Sequence, residues 1–125
     1  MKPPFTADQT VTFFRRLGSK QTLAILYLID HFGPIFVADL AAATKIPNTR
    51  MVNLSGELRD LGILTKTALS GSPGKLVSVS INPDLVDLIK PYLSRLGEDP
   101  YIASAIQNYQ HMKDTHQLLG DKYGV

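Results

Sequence analysis

Arginine and asparagine a few residues apart on one helix can read the edges of purine bases. The stretch Ile46 to Leu64, IPNTRMVNLSGELRDLGIL, carries Asn48, Thr49, Arg50 and Asn53 within six positions. An Arg guanidinium can make two hydrogen bonds to guanine, and an Asn amide two to adenine. Thr49 can bond a phosphate or touch a thymine methyl. Lys45 stands just before this group, and Lys66, Ser72 and Lys75 follow it. These are phosphate-contacting types, which position a protein on nucleic acid without specifying sequence. Lys45, Arg50, Lys66 and Lys75 make the face modestly basic, with Asp39 and Glu57 as partial offsets.

That chemistry needs a helix that shows these residues outward. Met51, Leu54, Leu58 and Leu61 are spaced 3, 4 and 3, which sets them in one inward stripe. The spacing predicts a helix from Asn48 to about Leu61, with Gly62 at its C-terminal cap. Asn48, Thr49, Arg50, Val52, Asn53 and Gly56 then face out. The turn KIPN precedes it, and before the turn VADLAAAT (Val37 to Thr44) reads as a short helix. Further back, Ser19 can cap a helix that runs to Phe32 and stops at Gly33-Pro34. Its segment LAILYLI is apolar nearly all round, as in a helix buried on most sides. Thr6 and Gln9 fit a capping box opening a helix from Ala7 to Leu17, with Gly18 as its stop. Val11, Phe14 and Leu17 share one face of it. Arg15, Arg16 and Lys20 lie near its end, where the helix dipole favours cations.

Beyond Gly62 the character changes. ILTKTAL and LVSVSI are β-rich, and the second alternates strictly in polarity. With SGSPGK between them they form a hairpin over 64–81. Asn82 and Pro83 open a helix over 83–96, which Pro91 kinks or ends, and Asp99 and Pro100 open a last helix over 100–119. Ile102, Ala105, Tyr109, Met112, His116 and Leu119 follow each other at 3, 4, 3, 4 and 3 along it. That is the spacing of a packing seam, here expected, together with the first helix, to join two copies of the chain.

The order of elements and the residues of VADLAAATKIPNTRMVNLSGELRDLGILTKT resemble the winged helix-turn-helix regulators of the ArsR, MarR and TrmB-like kind. Leu40 and Ala41 match the Leu-Ala pair of the positioning helix, and Ile46 matches the apolar turn residue. Met51, Leu54 and Leu58 match the anchors of the second helix, and Leu61 to Leu64 match its exit into the hairpin. The resemblance covers roughly Ser19 to Ile81. Lys45, Ser55 and Gly56 depart from it: many members have Gly in the turn, and an apolar residue is frequent at the position of Ser55. The resemblance implies a mainly α fold with a small β-hairpin, a winged helix-turn-helix with extra N- and C-terminal helices. It also implies that residues 48–61 enter a major groove and that the 64–81 hairpin is the wing.

Composition narrows the remaining classes. A chain of 125 residues fits one domain, read here as spanning 1–125 with its core at 19–81. The net charge of +2 permits nucleic acid without demanding it. There is no Cys, hence no disulfide and no thiolate metal site or nucleophile. No apolar run is long enough for a membrane span and no secretory signal is visible, so a cytoplasmic location is expected. No catalytic motif, metal site or cofactor loop stands out. His31, His111 and His116 invite a metal, but the last two lie five apart and do not stack on one helical face. The expected partners are double-stranded DNA and a second copy of the chain, with no enzymatic activity. The alternatives are a winged-helix protein-protein interaction module and a DNA-binding adaptor in plasmid segregation or replication.

Overall fold

The computed structural model describes residues 6–69 and 76–123. Helix α1 spans Ala7–Leu17 and opens with the expected capping box: the Gln9 amide donates to Thr6 Oγ1, and the Thr6 amide donates to Gln9 Oε1. Helix α2 spans Lys20–Phe32 and is the hub of the core; Ala24, Ile25, Leu26 and Leu28 are fully buried. Ser19 stands at its N-cap but makes no capping hydrogen bond. Helices α3 (Val37–Thr44) and α4 (Asn48–Asp60) follow, joined by the turn at Lys45, Ile46 and Pro47.

A strand without an obvious sequence signal precedes α3. Residues Ile35–Phe36 form β1, which pairs antiparallel with β3 (Leu76–Ile81), Ile35 opposite Val79. Strand β2 (Leu64–Leu69) lies on the other side of β3, with Leu64 opposite Ile81. The expected hairpin is therefore part of a three-stranded sheet, ordered β1-β3-β2. Its alternation works as anticipated. Val79 and Ile81 are buried, while Ser80 shares a 2.6 Å hydroxyl hydrogen bond with Thr65 across the strands.

Helix α5 spans Pro83–Leu93 and passes through Pro91 before ending, three residues short of the expected 96; a single 3-10 turn, Leu96–Glu98, takes up the slack. Asn82 caps it by accepting from the Asp84 amide, and the Asn82 side chain also donates to the Gly62 carbonyl at 2.8 Å. One residue thus ties the start of α5 to the end of α4. Helix α6 spans Pro100–Asp114, capped by Asp99, which accepts from the Ile102 amide and pairs with Lys20 at 2.9 Å.

The seam on α6 is used differently from the expectation. Ile102, Ala105 and Tyr109 are buried within the chain itself, where α6 packs on α2 and α3. Tyr109 meets Phe32 ring to ring at 4.5 Å. An all-round apolar helix such as α2 needs cover from several sides, and α6 supplies one of them. The helix also stops at Asp114 rather than 119. His116 is exposed in a left-handed conformation, and Leu119 begins a separate short helix, α7 (Leu119–Tyr123). Ile102, Ala105 and Tyr109 are therefore not free to join two copies.

Candidate nucleic-acid interface

The turn before α4 sets the angle of the helix. Lys45 takes a φ of 61°, the left-handed region in which Gly would avoid the Cβ conflict. Its amide and that of Ile46 both bond the Ala41 carbonyl, closing the end of α3. The other loose ends of α3 are held by α6. Tyr101 Oη donates to the Thr44 carbonyl at 2.8 Å, and Asn108 Nδ2 donates to the Ala43 carbonyl at 2.9 Å. Helix-end carbonyls left unpaired beneath other elements are unfavourable, so these two side chains fix the helix-turn-helix to the body of the chain. Ile46 is buried beside them.

Helix α4 divides as the spacing predicts. Met51, Leu54, Leu58 and Leu61 are buried, and Ser55 joins them; its hydroxyl donates to the Val52 carbonyl at 3.1 Å. The opposite stripe is Thr49, Asn53 and Gly56, again at spacings of 4 and 3. Arg50 lies on one flank of that stripe, donating to Gln21 Oε1 at 3.0 Å. Asn48 and Val52 lie on the other, lining a cavity of about 240 Å³ with Lys66 of β2. Lys45, Asn48, Thr49, Arg50 and Asn53 are all exposed. Pro47 at the N-cap offers no side-chain acceptor, so the first amides of α4 keep the partial positive charge that favours an anion.

The electrostatics of this face are milder than a count of charges implies. Glu57 is paired with Arg16 at 2.7 Å, and Asp39 is buried. Neither presents a free carboxylate beside the polar stripe. Lys66 is half-buried, and its pKa lies below the usual lysine value, first through burial and then through the nearby Arg59 charge. Burial raises the Asp39 carboxyl above its usual value, against the lowering effect of the Leu119 amide. Ser72 and Lys75 lie outside the described residues.

Two residues of this site carry no local sequence signal. Gln21 on α2 holds the Arg50 guanidinium, and Arg16, whose position favours a helix-dipole role, reaches Glu57. Both contacts join segments far apart in the chain. His31 is also accounted for, lying 6.3 Å from Tyr27 in a stacked pair and 4.7 Å edge-on from Phe32.

Gly56 has no packing reason to be glycine. A Cβ there would meet nothing within 4 Å. Gly56→Ala is expected to stabilise the chain by up to about 1 kcal/mol, the helix-propensity difference, as read by urea unfolding. An unchanged or lowered midpoint would contradict the open space seen at this position.

No protein-family model matches the chain, and neither does any curated protein. Among solved structures, NadR in complex with 4-hydroxyphenylacetate is similar, with a TM-score of 0.56 and 14% sequence identity over 99% of this chain and 99% of that one. The fold is a winged helix-turn-helix. In that frame α3 is the positioning helix, α4 the second helix of the motif and β2-β3 the wing. Among the described residues no helix is long and apolar enough to cross a membrane.

Proposed function

We propose that the chain is a DNA-binding protein that acts as a homodimeric transcriptional regulator, laying α4 in a major groove. The observation that carries this reading is the division of α4. One stripe is locked into the core by Met51, Leu54 and Leu58. The opposite stripe is polar and exposed in its first turns, with Thr49 and Asn53 at its centre and Asn48 and Arg50 on its flanks, and its one carboxylate, Asp60, lies at the far end of the helix, paired with Arg59 at 3.1 Å. The fold likeness to NadR, a MarR-family transcriptional regulator, supports the same reading. Arg50 reads guanine, Asn53 reads adenine, and Lys45 with the first amides of α4 holds phosphate. Lys66, Ser72 and Lys75 extend the phosphate contacts along the wing.

With so few cations, one subunit binds weakly, and two are needed. The dimer surface in this proposal is a face of α1 and α5, in place of the seam on α6. Four large hydrophobic side chains stand out there: Val11 at 55% exposure, Phe14 at 65%, Leu88 at 66% and Tyr92 at 78%. Val11 and Phe14 are two residues of the apolar face of α1, and the core position is taken by Phe13. An amphipathic stripe left uncovered by its own chain fits a two-fold contact, which presents the same patch from each copy. Phe14→Glu combined with Tyr92→Glu is expected to give a monomer with an unchanged helical spectrum. Sedimentation velocity of the wild type as a monomer at micromolar concentration would rule this surface out.

The functional test is selection of bound sequences from a random duplex pool with purified protein. The regulator predicts an enriched inverted repeat with half-sites about one helical turn apart, 10–10.5 base pairs. Enrichment of tandem arrays would point to a segregation adaptor. No enrichment would point to a protein-interaction module, as other winged helices serve unrelated ends on the same fold.

A further inference from the structure

After α6 the chain reverses sharply. The Thr115 amide and hydroxyl both bond the His111 carbonyl, at 3.0 and 2.8 Å. His116 then takes a φ of 57°, and the Gln117 amide bonds back to the Met112 carbonyl at 2.8 Å. A non-glycine residue in the left-handed region is unfavourable by about 1 kcal/mol, which these helix-end bonds offset. The segment beyond the turn is held on α3. The Leu119 amide donates to both carboxylate oxygens of buried Asp39, at 3.1 and 3.3 Å.

The landing place of this segment matters. Leu119 is half-buried and forms one wall of the 240 Å³ cavity that also holds Ala38 of α3, Asn48 and Val52 of α4, and Lys66 and Val77 of the hairpin. That cavity opens between the flank of α4 and the wing. In a helix-turn-helix complex the first helix of the motif crosses the nucleic-acid backbone while the second enters the groove. Ala38 and Asn48 belong to the first turns of those two helices, so in a complex of that geometry they would stand beside the backbone.

We propose that residues 117–123 form an autoinhibitory strap: docked on Asp39, with Leu119 in the cleft between α4 and the wing, the segment must pivot away at His116 before duplex DNA can seat. This rests on the DNA-binding reading above. The block is steric, because residues 117–123 contain one Asp and one Lys and add no net formal charge. Apparent affinity is then reduced by the fraction of molecules in which the strap is open.

The test is Leu119→Ser in the full chain, which removes the apolar anchor and changes no charge. Binding is followed by anisotropy on the duplex recovered from the random pool, or on a mixed-sequence duplex if none is recovered. The substitution is expected to tighten binding about threefold or more, by the same factor at low and high salt, since the number of phosphate contacts is unaltered. Wild-type binding with no gain in Leu119→Ser would overturn the strap alone. Failure of both proteins to bind any duplex would overturn the DNA reading and the strap with it. An independent measurement uses the wild type only. Saturating DNA is expected to speed hydrogen exchange of the Leu119 amide as it leaves Asp39, whereas protection unchanged on the bound protein would overturn the proposal.

Discussion

Met51→Ala is expected to lower the unfolding free energy by about 2–5 kcal/mol, with a fall in Tm on the order of 10 °C. Met51 is fully buried, at 0% exposure, and lies in the stripe that holds α4 to the core with Leu54 and Leu58. Truncation removes apolar area and leaves a void, and both effects act in the same direction because packed interiors relax only in part. The thioether is flexible, and its neighbours include other aliphatic side chains that can shift, which sets the lower end of the range. The loss extends beyond global stability. The first turns of α4 have no side-chain cap, so their order depends on the anchor one turn in. DNA binding is therefore expected to weaken in the folded variant as well. Urea unfolding with an unchanged slope and a midpoint within error of the wild type would show that α4 is not held this way.

Arg50→Ala, one residue earlier, is expected to do the opposite. The side chain is exposed, and its hydrogen bond to Gln21 is open to solvent, so unfolding is expected to change by less than about 0.5 kcal/mol. Specific DNA binding is expected to weaken by about 1–3 kcal/mol, roughly 5- to 150-fold, and preference at one base position to relax. Gln21 keeps the guanidinium on the flank of α4 in the free protein, which lowers the entropy lost when it meets a base. The two substitutions separate the inner and outer sides of one helix. Stability should follow residue 51, and recognition should follow residue 50. Competition titrations with the selected duplex and a scrambled one measure the second effect. Equal weakening on both duplexes would make Arg50 a phosphate contact without a role in specificity.

Much of the architecture was legible because its signals are local. The 3, 4, 3 spacing of Met51 to Leu61 marks a buried stripe, and the alternation of LVSVSI marks a strand with one face inward. The caps at Thr6, Asn82 and Asp99 fix three helix starts through hydrogen bonds that reach two or three residues along the chain. What the sequence hid depends on distant partners. Strand β1 has two residues and exists because Ile35 and Phe36 find the free edge of β3. The stripe on α6 announces a buried face but cannot say whose surface buries it, and α3 and α2 within the same chain are the partners. The apolar spacing also ran on through the reversal at Thr115 and His116, where no Gly or Pro marks a stop. On α1, Phe13 and Phe14 are adjacent aromatics of equal size, and only the packing against α2 decides which one is inside. Ser55 shows the limit for single residues. A hydroxyl can be fully buried in a helix when the carbonyl three residues back accepts its proton.

DNA binding through the outward stripe of α4 is tested most directly by an amide-resolved NMR titration with the selected duplex. The largest shift changes are expected at Lys45, Asn48, Thr49, Arg50, Asn53 and Gly56, joined by Asp39 and Leu119 if the strap leaves, with small changes along α5. Shifts absent from 45–56, or confined to another surface while the duplex is bound, would contradict binding through that stripe.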